Sequence, residues 1–230
     1  MKRVVEPELL DELPTTDPRS IHSRRDLRRV NFFMGNVGIV ERMLRQRFSE
    51  PPKKIVELGS GDGTFMLALA QRFPRWKNLK ITFVDRQNLL SPETKDKFHQ
   101  LGWRVEIVSA DVFDWLSVCE PCDCMVANLF LHHFEHEKLS ELLRLASDKS
   151  NVFLACEPRR SSGGIFGARL LGLIGCNDVT RHDAAVSVRA GFQANEISLL
   201  WPQNVEWKID EGETGLFSHA FVAALAREWH

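Results

Sequence analysis

The stretch Val56-Glu-Leu-Gly-Ser-Gly-Asp-Gly-Thr-Phe65 constrains the fold more than any other part of the chain. An apolar run, Ile55-Val56, reaches an acid, Glu57, and then glycines at every second position: Gly59, Gly61 and Gly63. A helical pattern begins at once, from Thr64 to Phe73. This is a buried strand turning sharply into a helix, with no side chains at the bend to hold a ligand away from the backbone. A dinucleotide fingerprint needs glycine or alanine at its last position, where Thr64 stands. A phosphate loop needs Gly-Lys-Ser/Thr at its end, and that is absent.

The rest of the chain repeats the strand-then-helix rhythm. Lys80–Val84 reads as a second buried strand ending at Asp85. Ser91-Pro92-Glu93 then supplies a cap and a first-turn proline for a helix that ends near Gly102. Val105–Ser109, Asp123–Leu129 and Asn151–Cys156 read as three further strands, with a helix over Glu135–Ala146. Strands separated by helices of this length pair in parallel through right-handed crossovers. The end differs: Val205–Glu211 and Ser218–Arg227 are joined by a short glycine-containing loop and read as an antiparallel hairpin. The expectation is a Rossmann-like α/β three-layer sandwich with a mostly parallel seven-stranded sheet and a C-terminal hairpin. Residues 1–20 read as an irregular arm, and Ile21–Phe48 as two helices broken by Gly35 and Gly38. The expected domains are an N-terminal helical appendage, 1–50, and a main domain, 51–230, with an apolar insertion at 159–192.

Composition excludes several classes. A net charge of −1 gives no global attraction to nucleic acid, and Arg24, Arg25, Arg28 and Arg29 read as a solvated helix face. No run approaches the roughly 18 apolar residues of a membrane helix. The N-terminus lacks the apolar core of an export signal, and the five cysteines are an odd number, so reduced thiols and a cytoplasmic location are expected. Cys119, Cys122 and Cys124 sit beside or within a strand with no second ligand pair at finger-like spacing, so no metal site is expected.

The glycine turn, the strand order and the terminal hairpin together resemble class I S-adenosylmethionine (SAM)-dependent methyltransferases, over residues 53–227. SAM is then the expected cofactor. Ligands of open α/β sheets bind beyond the carboxyl ends of the strands. Asp85, at the end of the second strand, is placed to accept both hydroxyls of a ribose. The resemblance implies that Asp111 or its backbone neighbour meets the adenine amino group and that Val112 packs on the ring. It implies that Gly59 and Asn128 line the methionine end and that Glu57 helps to hold the amino group. Ser60 and Gly61 complete the turn, and Arg86 borders the adenosine or the solvent.

Asn128-Leu-Phe-Leu-His-His-Phe134 places two histidines just past a strand end. This segment resembles that of small-molecule methyltransferases, including the ubiquinone and menaquinone group. It lacks the Asn/Asp-Pro-Pro-Phe/Tyr signature of enzymes that methylate nucleic-acid amino groups, so nucleic acid is not the expected partner. If the acceptor is a hydroxyl, a base that removes its proton speeds transfer, and histidine suits neutral pH. His133, His132 and His182 are the catalytic candidates; the chain contains no tyrosine. Each could equally be a structural histidine.

The apolar segment Ile165–Cys176, with Phe32, Phe33 and Met34, reads either as a lid over a hydrophobic acceptor or as plain packing. Contact with a membrane surface or a carrier protein is a third reading. The expected reaction is methylation of a small hydrophobic or aromatic acceptor, at oxygen of a phenolic, polyketide or quinone-like metabolite. Carbon methylation of a quinone precursor, or SAM binding without transfer, remain alternatives. The acceptor's identity and the oligomeric state are not legible in this sequence.

Overall fold

β1 (Lys54–Leu58) lies inside a seven-stranded sheet because four of its five residues are buried, leaving no solvent-facing side. Residues 1–14, 16–203 and 206–229 are described by the computed structural model. β2 (Lys80–Asp85) and β4 (Cys122–Asn128) flank β1 in parallel; β3 (Arg104–Ser109) lies outside β2, and β5 (Ser150–Pro158) outside β4. β7 (Ser218–Leu225) pairs antiparallel with β5, and β6 (Trp207–Thr214) closes the edge. The order is β3-β2-β1-β4-β5-β7-β6, a mostly parallel seven-stranded sheet with an antiparallel C-terminal hairpin, as expected. The order reverses between β1 and β4, which is where such sheets bind ligands. Of the expected hairpin, Val205 lies outside the described residues.

Two helical layers bury the faces of the sheet. One face meets α3 (Asn36–Arg47), α4 (Thr64–Ala70) and α5 (Pro92–Gln100), where Val40, Leu44, Met66 and Phe98 pack on Ile55, Ile81 and Leu154. The other meets α6 (Val112–Val118) and α7 (His136–Lys149), where Leu116, Leu139, Leu142 and Ala146 pack on Val56, Leu58 and Met125. Alternate residues of each strand serve opposite layers, as the pleat requires. β5 runs two residues past Cys156 because Ser218 and His219 of β7 pair with Pro158 and Glu157. Glu157 is thereby fully buried.

The N-terminal region departs from expectation in two places. The arm holds a short helix, α1 (Leu9–Glu12), and α2 (Pro18–Met34) starts early because Asp17 caps it, accepting from the Arg19 amide at 2.8 Å. Gly35 alone breaks the helices, since it is left-handed at φ 70 while Gly38 stays within α3. Within residues 1–50, α3 is part of the sheet's own packing layer, and α1 and α2 stand beyond the strand ends. Cys122 and Cys124 are buried in β4, and burial pushes the Cys122 thiol up to about 12.

Candidate active site

The strand ends on either side of the β1/β4 reversal open into one cavity of about 870 Å³. Its first half is the glycine turn. Gly59, Gly61 and Gly63 all take positive φ, at 66, 52 and 70. A side chain on Gly61 would project into open space, whereas one on Gly59 would strike the Phe130 ring. The Gly61 amide donates to Asp85 Oδ2 at 2.9 Å, and the Gln87 amide to Oδ1 at 2.9 Å. Each Asp85 oxygen keeps a lone pair for a ligand hydroxyl. Asp111 caps α6 through the Phe113 amide at 2.9 Å, and Val112 is buried beside it. Asn128 is buried and bonds to Asn31 and Asn36, which fastens the α2–α3 corner over the end of β4.

Glu57 has a buried oxygen, Oε2, with no hydrogen-bond partner among the described residues. Burial, and then the nearby Asp62 and Asp85 charges, push its carboxyl well above the usual range. Such a group calls for a cationic ligand. The ammonium of the SAM methionine moiety fits, as do the open face at Gly61 and the free lone pairs of Asp85. Glu57, Gly59, Ser60, Gly61, Asp85, Arg86, Asp111, Val112 and Asn128 all line this cavity.

The second half of the cavity lies past β4. Leu129 adopts a left-handed φ of 53, uncommon for a branched side chain, and turns the chain into a 3₁₀ turn over Leu131–His133. Glu157 holds that turn: its carboxylate accepts from the Phe130 and Leu131 amides, both at 2.9 Å, and contacts His132 Nδ1 at 2.7 Å. Glu8, from the arm, approaches His132 Nε2 at 3.4 Å. His132 is thus buried between two carboxylates. Burial alone lowers its pKa, but the bonds and charges of Glu157 and Glu8 win and push it up to about 9. Glu8 shows the converse: burial raises it, yet the bond and charge of His132 and the Ser187 hydroxyl help to hold it at about 2.

His133 behaves in the opposite way. Burial and the neighbouring His132 charge both lower its pKa. The rings are 4.3 Å apart, and His133 Nδ1 stands 3.7 Å from Asp11. Adjacent histidines therefore have pKa values driven apart, a protonated one fixed in place and a neutral one facing the cavity. His132 is consequently no proton acceptor near neutrality, contrary to its place among the candidate bases. Glu8, His132 and His133 also bring three possible ligand atoms within 4.8 Å. In this structure His132 lies between Glu8 and Glu157, with His133 beside it.

His182 lies outside the cavity. Its ring is half exposed, with Nδ1 3.1 Å from Asp183 Oδ1, and the buried member of Arg181-His182-Asp183 is the aspartate. Asp183 receives the Leu9 and Leu10 amides at 2.9 and 3.0 Å, and so anchors α1 to α9 (Asp178–Ala190). Arg3 donates to Ala190 O at 2.7 Å and Phe134 O at 2.8 Å, strapping the arm across the cavity. Glu8, Asp11, Glu157 and Asp183 were not among the expected site residues. Glu157 alone left a signal, an acid closing an otherwise apolar strand.

The known proteins that this chain resembles carry the same architecture. Residues 55–148 match the family model described as a methyltransferase domain. That match covers β1 to α7, the first four strands and the helices between them. The chain is 26% identical over 131 residues to the carboxy-S-adenosyl-L-methionine synthase of Nautilia profundicola, which covers 56% of this chain. The chain spans about half of that relative's length, 54%. Solved structures with the same fold include the plantazolicin methyltransferase bound to S-adenosylhomocysteine, at TM-score 0.66, 14% identity and 91% coverage of both chains. The magnesium protoporphyrin IX methyltransferase of Synechocystis follows at TM-score 0.56, 13% identity, 94% of this chain and 91% of that one. The half of the cavity around the glycine turn fits SAM, the cofactor that the sequence implies.

Proposed function

We propose that this methyltransferase transfers the SAM methyl group to an oxygen of a small hydrophobic or aromatic acceptor, a phenolic or quinone-like metabolite being the best fit. The observation that carries the reading is His133, in the same cavity as the glycine turn and 4.3 Å from the locked His132 ring, where burial and the His132 charge lower its pKa. SAM, when bound, supplies a methyl group activated by a sulfonium. The chain's residues then do three things. Leu27, Val30, Phe33, Leu170 and Leu171 give the acceptor half an apolar lining that orients a flat or aliphatic molecule and excludes water. His133 takes the hydroxyl proton; with Nδ1 beside Asp11, Nε2 is the nitrogen left for it. The fixed charge of His132 keeps His133 neutral and favours the developing oxyanion. Glu157 positions both by holding the turn.

Supporting this, the chamber has no flat-base signature, and the chain's charge is balanced. The test pairs titration calorimetry of SAM with incubation in radiolabelled SAM and fractionated apolar metabolites. A labelled phenol ether that vanishes in His133→Ala is expected. SAM binding with no labelled product from any fraction would leave a binding protein, and label on carbon would shift the reading to ring methylation.

A further inference from the structure

The insertion after β5 is a helix packed the wrong way round for a soluble protein. α8 (Ser162–Leu170) turns Gly164 and Ala168 to the protein, where Gly164 meets Val188. Its large apolar residues point outward: Phe166 is 62% exposed, Leu170 41%, and in the following turn Leu173 83% and Ile174 40%. Positions 166, 170, 173 and 174 form one stripe at helical spacing. Beside it, α2 presents Ile21, Arg25, Arg28 and Phe32 on its outer face, with Phe32 79% exposed.

Both helices are fastened to α9: Asn177 and Thr180 at its start bond to Asp26, Arg19 and Ser23 of α2, and Val188 near its end meets Gly164 of α8. They also share a function. Phe33, Leu170 and Ile174 are exposed and line the cavity as well, so the apolar face surrounds the mouth of the acceptor chamber. Apolar surface of this kind marks a contact site. Its rim is basic, although the whole chain is nearly neutral. Arg25, Arg169 and Arg181 make no ion pair among the described residues.

We propose that this face docks on an anionic phospholipid bilayer, Phe32, Phe166 and Leu173 entering the acyl boundary and the arginines meeting headgroup phosphates. The mouth then opens onto the lipid phase, so the acceptor is a lipid-soluble molecule taken from the bilayer. That delivery role rests on the methyl-transfer reading above; the docking does not. Apolar insertion with basic flanks is how interfacial helices hold a membrane surface, and no helix among the described residues is long and apolar enough to cross one.

The experiment is co-sedimentation of the full chain with vesicles of phosphatidylglycerol and phosphatidylcholine, against phosphatidylcholine alone. Binding at least about tenfold tighter to the anionic vesicles is expected, weakening as salt rises. Phe166→Ser with Leu173→Asp should cost about tenfold or more, and Arg25→Glu with Arg169→Glu should abolish the preference for anionic lipid. None of these four residues lines the cavity, so SAM affinity by calorimetry should match the parent and certify the fold. Failure to bind vesicles, equal binding to both kinds, or variants that bind like the parent would each overturn the proposal. Self-association that is lost in Leu173→Asp, without vesicle binding, would replace the bilayer by a second copy of the chain. Vesicle binding needs no turnover, so it survives a failure of the methyl-transfer reading.

Discussion

The two halves of the cavity are built by different means. The cofactor half is mostly backbone: strand ends and a left-handed glycine turn, with the Asp85 carboxylate fixed by two amides and Glu57 buried in β1. The acceptor half is side chains from five places in the sequence, the arm, α2, the turn after β4, α8 and α9, held by ion pairs and caps. A backbone site is stable wherever the sheet is stable. A side-chain site is stable only while its latches hold, and the two should therefore fail separately.

The sharpest way to separate them is Gly61→Val. The new side chain would enter the cofactor space with φ strained at 52. SAM affinity by calorimetry should fall by about a thousandfold or more, roughly 4 kcal/mol, while the strained backbone lowers the melting temperature by only several degrees. Unchanged affinity would undo the cofactor half. Next is His133→Ala. Loss of a general base should lower kcat by about a hundredfold and leave the Kd for SAM alone. If kcat holds and only the acceptor KM rises, His133 is a binding group and nothing more.

The latches come third, through pH. His132 is raised to about 9 from 6.5, so its contribution is complete below pH 6.5 and lost as pH rises through 9. Glu8 is lowered to about 2 from 4.5, so its share is complete above pH 4.5 and lost as pH falls through 2. Stability measured by urea unfolding should thus plateau between these limits and decline above pH 7, by on the order of 2 kcal/mol at pH 9.5. Glu8→Gln should flatten that decline; a profile equally steep in the variant would remove Glu8 from the latch. The smallest effect expected is for Asp183→Asn, which loses the charged cap on Leu9 and Leu10 at a cost of about 1 kcal/mol. It should raise the acceptor KM and spare SAM binding.

What was legible in the sequence follows the same division. The strand–glycine–helix turn, Asp85 and the strand four end are contiguous signals, and local chemistry dictates their geometry. The parallel pairing followed from the crossover rule and the antiparallel end from the hairpin, whereas the order of the strands came only with the structure. Glu8 and Asp11 were hidden because they lie in an arm with no periodicity and act on residues more than a hundred positions away. His182 was misjudged for a related reason: successive helix residues point about 100° apart, so Asp183 faces inward where its neighbour does not. His132 was placed correctly beyond β4. Its protonation depends on two carboxylates that only the tertiary fold brings to it.

The strap that Arg3 makes to Phe134 and Ala190 spans 131 and 187 residues of chain. Contacts of such separation form after the sheet and α9 are in place, because the closure entropy must already be offset by structure at both ends. In amide exchange, the Leu9 and Leu10 amides should therefore open by local release of the arm, well below the free energy of global unfolding that protects β1 and β4. The acceptor chamber is the last part of this protein to assemble and the first to come undone.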